Sequence, residues 1–242
     1  MKIWAHRGCS KRYPENTLLA FERAAAIDGL TGIELDIQLT RDRHVVVCHD
    51  ERVDRTTDGI GEVRSFTLAE LKTLKISADN GKYEQIPTIE EVFDLLEDRL
   101  RSGFQINIEL KNSIFPYEGM EEKIISLVHG RGIEKCIVYS SFSALSIERI
   151  KRIDPKTRTG ILDTKVSDCL YKLKGGCMAD ALHPFWKGMD LQKEKIDGYP
   201  VRAWLSGHLY PEKPTGTRLE LTELENKGIT DIFLNEPEVY LR

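Results

Sequence analysis

The chain has 242 residues, of which 40% are hydrophobic and 31% are charged, and its 35 Lys and Arg against 39 Asp and Glu give a formal net charge of −4. This is the composition of an ordinary globular protein, and its mildly acidic balance lacks the basic surplus expected of a nucleic-acid-binding protein. No run approaches the roughly 18 apolar residues that cross a bilayer, so we expect no membrane-spanning segment.

Short β-rich runs alternate with helical stretches along the chain. The pattern predicts eight strands, at residues 2–6, 32–37, 104–110, 136–140, 157–162, 178–182, 200–204 and 230–234. It predicts helices at residues 17–28, 88–99, 118–131, 143–152, 166–174, 188–197 and 218–227. Asn16 or Thr17 can cap the first helix, and Thr88 followed by Glu91 has the spacing of a capping box.

The alternation of strands with helices also predicts the fold. Such strands form parallel βα units, and eight units close into a (β/α)8 barrel. We therefore predict an α/β fold, a TIM-type barrel formed as a single catalytic domain over residues 1–242. A doubly wound open sheet is the alternative, but it usually has fewer strands, and here no Gly-rich phosphate loop follows the first strand.

One interval is longer than an ordinary connection between a strand and a helix. About fifty residues separate the second predicted strand from the helix predicted at 88–99. The interval begins with an extra strand at 45–49. The remainder, at about 51–86, is predicted to be a small polar insertion after the second barrel strand, on the carboxyl-terminal face of the barrel.

The extra strand follows a turn at residues 42–43, which predicts a hairpin. If the turn is a two-residue loop, Arg41 pairs with His44. Because hairpin pairing then continues residue by residue, His49 is predicted to lie opposite Asp36.

Three carboxylates stand near the carboxyl ends of neighbouring strands, where barrel active sites collect. Glu34 and Asp36 lie two residues apart, so they share one face of their strand, and Glu109 lies near the end of the next barrel strand. Converging carboxylates repel one another and need a cation, and oxygen ligands without a nearby cysteine favour Mg²⁺ or Ca²⁺. The alternative is that the acids form structural salt bridges, for example with Arg7 or Lys111.

Two histidines and two cations lie at the same strand ends. His6 and His49 are candidates for general acid and general base, because imidazole titrates near a pH of about 6.5. Arg7 and Lys111 carry positive charge suited to a phosphate, which Arg can bind through two hydrogen bonds. A packing role for the histidines and neutralisation of the acids by the cations are the structural alternatives. The combination with three acids favours a site.

Together these motifs resemble those of the glycerophosphodiester phosphodiesterases. The resemblance rests on His6-Arg7-Gly8, Pro14-Glu15-Asn16-Thr17, Glu34-Leu35-Asp36, His49-Asp50 with Arg55-Thr56-Thr57 and Gly59, and Asn107-Ile108-Glu109-Leu110-Lys111. Their order and spacing match over the first half of the chain, and the barrel pattern extends the resemblance over most of it. The resemblance implies a (β/α)8 barrel and hydrolysis of a glycerophosphodiester to glycerol 3-phosphate and an alcohol.

The resemblance also implies roles for the charged residues. It implies one divalent cation, Mg²⁺ or Ca²⁺, held by Glu34, Asp36 and Glu109, acid–base catalysis by His6 and His49, and phosphate contacts from Arg7 and Lys111. The nucleophile is then either the glycerol 2-hydroxyl, which gives a cyclic phosphate that water opens, or water itself.

The second half of the chain departs from the family pattern. Trp204-Leu205 stands where the family commonly has Trp-Thr, and the last strand continues as Phe233-Leu234-Asn235-Glu236-Pro237, where the family usually has Thr-Asp-x-Pro. Because the acids and histidines match, we interpret these differences as changes in substrate fit. Trp204 is predicted to contact the glycerol or alcohol group, with a role as a core tryptophan as the alternative.

Two other functions fit parts of this pattern. A lipid-directed enzyme of the sphingomyelinase D or lysophospholipase D type shares the acids and the histidine pair, and a non-catalytic phosphate-binding barrel would share the fold. The lipid-directed proteins are typically secreted and disulfide-bonded, whereas this chain has five scattered cysteines and no signal-peptide pattern. We therefore expect a cytoplasmic enzyme of glycerol and lipid metabolism with a small phosphodiester substrate, no nucleic-acid partner and no stable membrane anchoring.

Overall fold

The computed structural model describes residues 1–78, 81–196, 198–205 and 218–241. Its strands are β1 (Lys2–His6), β2 (Gly32–Leu39), β3 (Val45–Val47), β4 (Ile76–Ser77), β5 (Tyr83–Glu84), β6 (Gln105–Leu110), β7 (Ile137–Ser141), β8 (Arg158–Asp163), β9 (Ala181–Pro184), β10 (Arg202–Trp204) and β11 (Asp231–Leu234). Its α-helices are α1 (Leu18–Ala25), α2 (Leu68–Leu71), α3 (Ile89–Arg101), α4 (Met120–Arg131), α5 (Ala144–Ile153), α6 (Val166–Lys172) and α7 (Leu221–Asn226). None of these helices is both long and apolar enough to cross a membrane.

Eight parallel strands form a near-closed barrel in the order β10, β11, β1, β2, β6, β7, β8 and β9. The two end strands, β9 and β10, meet through isolated parallel bridges that pair Leu182 with Val201 and Phe185 with Trp204. The predicted (β/α)8 barrel is therefore confirmed. The open sheet is wrong, because an open sheet would leave its two edge strands apart.

Side-chain alternation along the strands separates two layers of buried residues. In β2, Ile33, Leu35 and Ile37 are fully buried in the main apolar core, which also includes residues of the surrounding helices. Inside the barrel, the rings of Trp4 and Phe233 pack with centroids 5.7 Å apart. The outer layer therefore holds the helices on the sheet, and the inner face of β2 is left for its charged residues.

Hydroxyl side chains cap the two helices that flank the site. Thr17 accepts a hydrogen bond from Ala20 N at 3.2 Å and so begins α1, which ends at Ala25 rather than at the predicted residue 28. At α3, Thr88 Oγ1 accepts from Glu91 N at 3.2 Å, and the Glu91 carboxylate accepts from Thr88 N at 2.7 Å. The predicted capping box is confirmed.

The helix predicted at 188–197 is wrong over the described residues, where the structure has only a 3₁₀ turn at Lys193–Lys195. Two acceptors of this segment, the Gly188 carbonyl and the Asp190 carboxylate, cap α6 instead. Gly188 O accepts from Val166 N at 2.9 Å, and Asp190 accepts from Ser167 N at 3.1 Å. Because these contacts satisfy the free N–H groups at the start of α6, the segment lies against that helix instead of forming its own.

The strand predicted at 178–182 begins later than the periodicity indicates. The chain leaves α6 through a wide turn, in which Gly176 has a φ of 102° and Met178 a φ of 53°. These left-handed residues end the helix and delay β9 until Ala181. His183, which the prediction placed after the strand, consequently lies within β9.

The hairpin between β2 and β3 has a three-residue loop rather than the predicted two-residue loop. Thr40 N donates to His44 O at 3.0 Å, and Arg43, between them, has a φ of 71°. The register is therefore shifted by one residue from the predicted one. Cys48, and not His49, lies opposite Asp36, and Cys48 N donates to Asp36 O at 3.0 Å. A turn that ends in a left-handed residue favours this loop length.

The insertion after β3 packs through an apolar cluster of its own. Residues of the hairpin and of the insertion form this cluster, namely Val46, Cys48, Val53, Val63, Leu71, Ile76 and Ile86. Over the described residues, the insertion contains a 3₁₀ turn at Val63–Ser65, α2 and the two-stranded sheet of β4 and β5. Its position after β3 places the segment that follows His49 beside the carboxyl ends of β1 and β2.

Candidate active site

The end of β1 turns sharply and brings three consecutive residues into the site. His6 is the last residue of the strand, and Arg7 and Gly8 follow in left-handed conformations with φ of 55° and 78°. A Cβ atom on Gly8 would lie 2.7 Å from the backbone of Ala20, so only glycine allows α1 to approach this closely. Arg7 N donates to the Glu34 carboxylate at 3.1 Å, which ties the turn to β2.

Three acids converge where β2 and β6 run side by side. The parallel register places Asp36 beside Glu109, and Glu34 lies one alternation earlier on the same face of β2. One carboxylate oxygen from each of the three lies within 4.8 Å of the others. All three side chains are nearly inaccessible to solvent. The structure therefore brings together the three acids that the sequence analysis singled out.

The electrostatics of this acid cluster favour a bound cation. Burial, Asp36 and Glu109 raise the pKa of Glu34 well above its usual range. Burial also acts to raise the pKa of Asp36, but electrostatic interactions with His49, Arg7 and Lys111 lower it overall. The pKa values of Glu34 and Asp36 are thus shifted in opposite directions. A cation bound between the two carboxylates would allow both to ionise.

The donor atoms of the cluster fit one hard divalent cation. Each acid supplies a carboxylate oxygen, the donor that Mg²⁺ and Ca²⁺ prefer. Asp36 Oδ1 is buried and has no hydrogen-bond partner among the described residues, although its second oxygen accepts from Asn16 Nδ2 at 2.8 Å. A buried carboxylate oxygen without a donor is costly, so this atom is available as a ligand.

The two predicted phosphate contacts lie beside the acids. Arg7 Nε is 3.5 Å from Asp36 Oδ2, and Lys111 Nζ donates to Glu109 at 3.0 Å and lies 3.9 Å from Asp36 Oδ1. Burial would lower the pKa of both cations, but the surrounding carboxylates raise it, so both stay charged. The salt bridges of the structural alternative are therefore present, and they also hold positive charge at the site.

His6 is held in the barrel by a neutral partner. Its Nδ1 lies 2.6 Å from Asn235 Oδ1, and its Nε2 lies 3.8 Å from Glu34 Oε2. Because the amide oxygen only accepts, Nδ1 carries the proton and Nε2 faces the acids. Burial and the charge of Arg7 lower the pKa of His6 to about 3. His6 is therefore neutral at pH 7.

His49 is held by a charged partner and is more accessible than His6. Its Nδ1 lies 2.7 Å from Asp50 Oδ1, and its side chain is 22% exposed. Burial acts to raise the pKa of Asp50, but hydrogen bonds from His49 and Arg55 lower it, so Asp50 is ionised. An ionised carboxylate accepts, so Nδ1 of His49 carries a proton.

A buried glutamine, which the sequence analysis missed, holds the backbone that carries His49. Gln38 Nε2 donates to Cys48 O at 2.9 Å and to Asp50 O at 2.6 Å, and Tyr117 OH donates to Gln38 Oε1 at 2.8 Å. The available signal was the period-two alternation, which continues from Glu34 and Asp36 to position 38. Asn235, the partner of His6, stood out only as a departure from the family pattern, and its contact with His6 could not be foreseen because it joins the two ends of the chain.

Trp204 lies in an aromatic cluster at the end of β10. Its indole Nε1 donates to His183 O at 3.1 Å, and its ring centroid lies 5.0 Å from that of Phe185 and 6.0 Å from that of Phe142. The side chain is half-buried. It therefore packs against other aromatic residues and also has a solvent-accessible part.

Residues 6–179 match the family model described as the glycerophosphoryl diester phosphodiesterase family. A glycerophosphodiester phosphodiesterase from Caldanaerobacter subterraneus subsp. tengcongensis is 47% identical over 242 residues, which cover 99% of this chain and 96% of that protein. Another from Bacillus altitudinis is 40% identical over 200 residues, which cover 81% of this chain and 80% of that protein. A solved structure of a phosphodiesterase from Oleispira antarctica, in complex with the product sn-glycerol-3-phosphate, is 26% identical with a TM-score of 0.77, and the match covers 99% of this chain and 94% of that chain.

Proposed function

Since the chain belongs to the glycerophosphoryl diester phosphodiesterase family, we propose that its barrel mouth hydrolyses glycerophosphodiesters to glycerol 3-phosphate and an alcohol with one divalent cation and two histidines. The observation that carries this proposal is the convergence of three carboxylates, within 4.8 Å of one another, with Arg7 and Lys111 paired to them. The product bound in the similar Oleispira antarctica structure is the chemical species that this reaction releases. We propose further that barrel and insertion act as one catalytic domain.

The cation and the phosphate need different residues. Glu34, Asp36 and Glu109 would hold one Mg²⁺ or Ca²⁺, which when bound supplies positive charge against the negative charge that develops on the phosphoryl oxygens. Arg7 and Lys111 contribute fixed positive charge from the chain itself. Their ion pairs with the acids hold both side chains in place before substrate arrives, so little reorganisation is needed.

The two histidines are proposed to transfer the protons of the reaction. One proton leaves the nucleophile, which is the glycerol 2-hydroxyl or water, and another reaches the oxygen of the leaving alcohol. His6 is neutral and its unprotonated Nε2 faces the acids, so this ring can accept a proton. The ring of His49 instead hydrogen-bonds the ionised carboxylate of Asp50, a partner that stabilises positive charge on an imidazole. We therefore assign proton donation to His49 and proton acceptance to His6.

Trp204 is proposed to contact the glycerol or alcohol group. The residue is half-buried, and the hydrogen bond from Nε1 to His183 O fixes the plane of the indole. A fixed aromatic face beside a polar site buries the carbon atoms of a small alcohol without requiring further hydrogen bonds.

Metal removal tests the proposed function. The protein is stripped with chelator, Mg²⁺ and Ca²⁺ are restored one at a time, and release of glycerol 3-phosphate is measured with glycerophosphocholine, glycerophosphoethanolamine and glycerophosphoglycerol. We expect turnover to disappear on stripping and to return with one of the two ions. Full turnover by the stripped protein would show that the acid cluster is only a set of structural salt bridges.

A further inference from the structure

Arg55 lies in the insertion, outside the residues assigned to catalysis, and joins two carboxylates. Its Nε and Nη2 donate to Asp50 at 2.7 and 3.1 Å, and its Nη1 and Nη2 donate to Glu15 at 2.9 and 2.6 Å. The guanidinium therefore binds two oxygens of each acid, one from the insertion side and one from the loop before α1. Its side chain is 29% exposed, so these contacts are partly shielded from water.

Each of the two carboxylates also accepts a hydrogen bond from a residue of the proposed mechanism. Asp50 accepts from Nδ1 of His49 at 2.7 Å. Glu15 accepts from Nη1 of Arg7 at 3.0 Å, which fixes that carboxylate against the body of the barrel. Arg55 is thus anchored at its Glu15 end, and at its other end it holds the carboxylate that orients His49.

The positive charge of Arg55 keeps the two carboxylates, Glu15 and Asp50, close together. Burial acts to raise the pKa of Glu15, but the hydrogen bonds from Arg55 and the charge of Arg7 lower it to about 2. Two ionised acids that share one guanidinium would repel each other without it. Loss of Arg55 therefore frees Asp50 to turn away from His49 toward solvent.

We propose that Arg55 is a positioning residue, which acts through Asp50 to hold the His49 ring in its working orientation and tautomer. This inference rests on the proposed function, because it gives the motif Arg55-Thr56-Thr57 a part in the same reaction. Lysine cannot replace Arg55, since a single ammonium group lacks the planar fork of donors that binds two carboxylates at once.

The variant Arg55→Lys tests this role while retaining the positive charge. We expect kcat to fall about 10- to 100-fold, as is typical when a supporting contact behind a functional group is lost, while KM and the calorimetric affinity for Mg²⁺ change less than about threefold. The matched control is Arg52→Lys, which breaks a similar two-bond contact to Asp54, at 3.1 and 2.9 Å, on the surface of the same insertion. It should keep wild-type kcat.

A double-mutant cycle separates positioning from general destabilisation. If Arg55 acts through Asp50, then Arg55→Lys combined with Asp50→Asn loses no more kcat than the worse single variant. Losses that multiply would overturn the proposal. Wild-type kcat in Arg55→Lys would also overturn it.

A spectroscopic readout tests the positioning role independently of turnover. The proton on His49 Nδ1, bonded to a carboxylate, should give a downfield resonance that exchanges slowly in the wild type and in Arg52→Lys, and should broaden or disappear in Arg55→Lys. An unchanged resonance in Arg55→Lys would refute the positioning role. If the wild type released no glycerol 3-phosphate but the resonance still depended on Arg55, the proposed function would fail and the positioning contact would stand.

Discussion

Replacing Glu109 with glutamine should remove metal binding while leaving the fold of the metal-free protein almost as stable as before. Glu109 lies within 4.8 Å of both other acids and 3.0 Å from Lys111 Nζ. At an effective dielectric constant of about 20, each repulsion costs about 3.5 kcal/mol and the attraction to Lys111 contributes about 5.5 kcal/mol. The raised pKa of Glu34 keeps that acid protonated without metal, so one repulsion and one attraction remain. Their difference is about 2 kcal/mol, and we expect the free energy of unfolding without metal to fall by no more than about that amount.

The same variant should behave differently when metal is present. A cation at one hundred times its dissociation constant stabilises the wild-type protein by about 2.7 kcal/mol, and Glu109→Gln should gain almost none of this. Urea unfolding with and without Mg²⁺, together with calorimetric titration, measures both quantities. Glu122→Gln, an exposed charge change on α4, is the control and should keep wild-type behaviour. Wild-type metal affinity in Glu109→Gln would refute the assignment of the three acids.

Three further predictions concern catalysis, substrate choice and pH. In steady-state kinetics, His6→Ala and His49→Ala should each lower kcat by about 10²–10⁴-fold with little change in KM. A near wild-type kcat in the double variant would contradict both proton-transfer roles. The enzyme should show higher kcat/KM for glycerophosphocholine than for a lysophospholipid or a micellar diacyl lipid, because the charged insertion offers acyl chains little apolar area at about 25 cal/mol per Å², and equal efficiencies would favour a lipid-directed enzyme. Burial and the neighbouring Arg202 hold the pKa of His183 well below its usual range. Below a pH of about 6.5 the unfolded chain therefore takes up a proton at this residue that the folded protein does not, and the free energy of unfolding decreases as the pH decreases. Between pH 7 and pH 5, His183 alone should lower the free energy of unfolding by about 2 kcal/mol. Urea unfolding of His183→Gln at the two pH values should lack this contribution, and a pH dependence identical to that of the wild type would disprove it.

The barrel could be predicted because its signal is local. Strands such as β2 and β6 show apolar residues at alternate positions, and this alternation depends only on which face of the strand is covered. The acids of the site follow the same rule, since Glu34, Asp36 and Glu109 lie at inward positions of neighbouring strands. The order of the elements and the acid cluster are therefore visible in the residues themselves.

Two of the features that could not be predicted depend on contacts between distant parts of the chain, and the hairpin register depends on one unusual backbone conformation. The segment at 188–197 was predicted to be a helix, yet Gly188 O and the Asp190 carboxylate cap α6 instead. The hairpin register depends on Arg43 adopting a left-handed conformation, which a non-glycine residue rarely does. Asn235 reaches His6 across 229 positions of sequence. Local patterns carry no information on such contacts.

Diffraction from crystals soaked with Mn²⁺ and sn-glycerol 3-phosphate would locate the metal and the phosphate, because Mn²⁺ takes the same oxygen ligands as Mg²⁺ and scatters anomalously. We expect one anomalous peak bounded by the carboxylates of Glu34, Asp36 and Glu109, with the phosphate of the product beside Arg7 and Lys111. A metal peak at another acidic group, with the phosphate bound away from these two cations, would contradict this expectation.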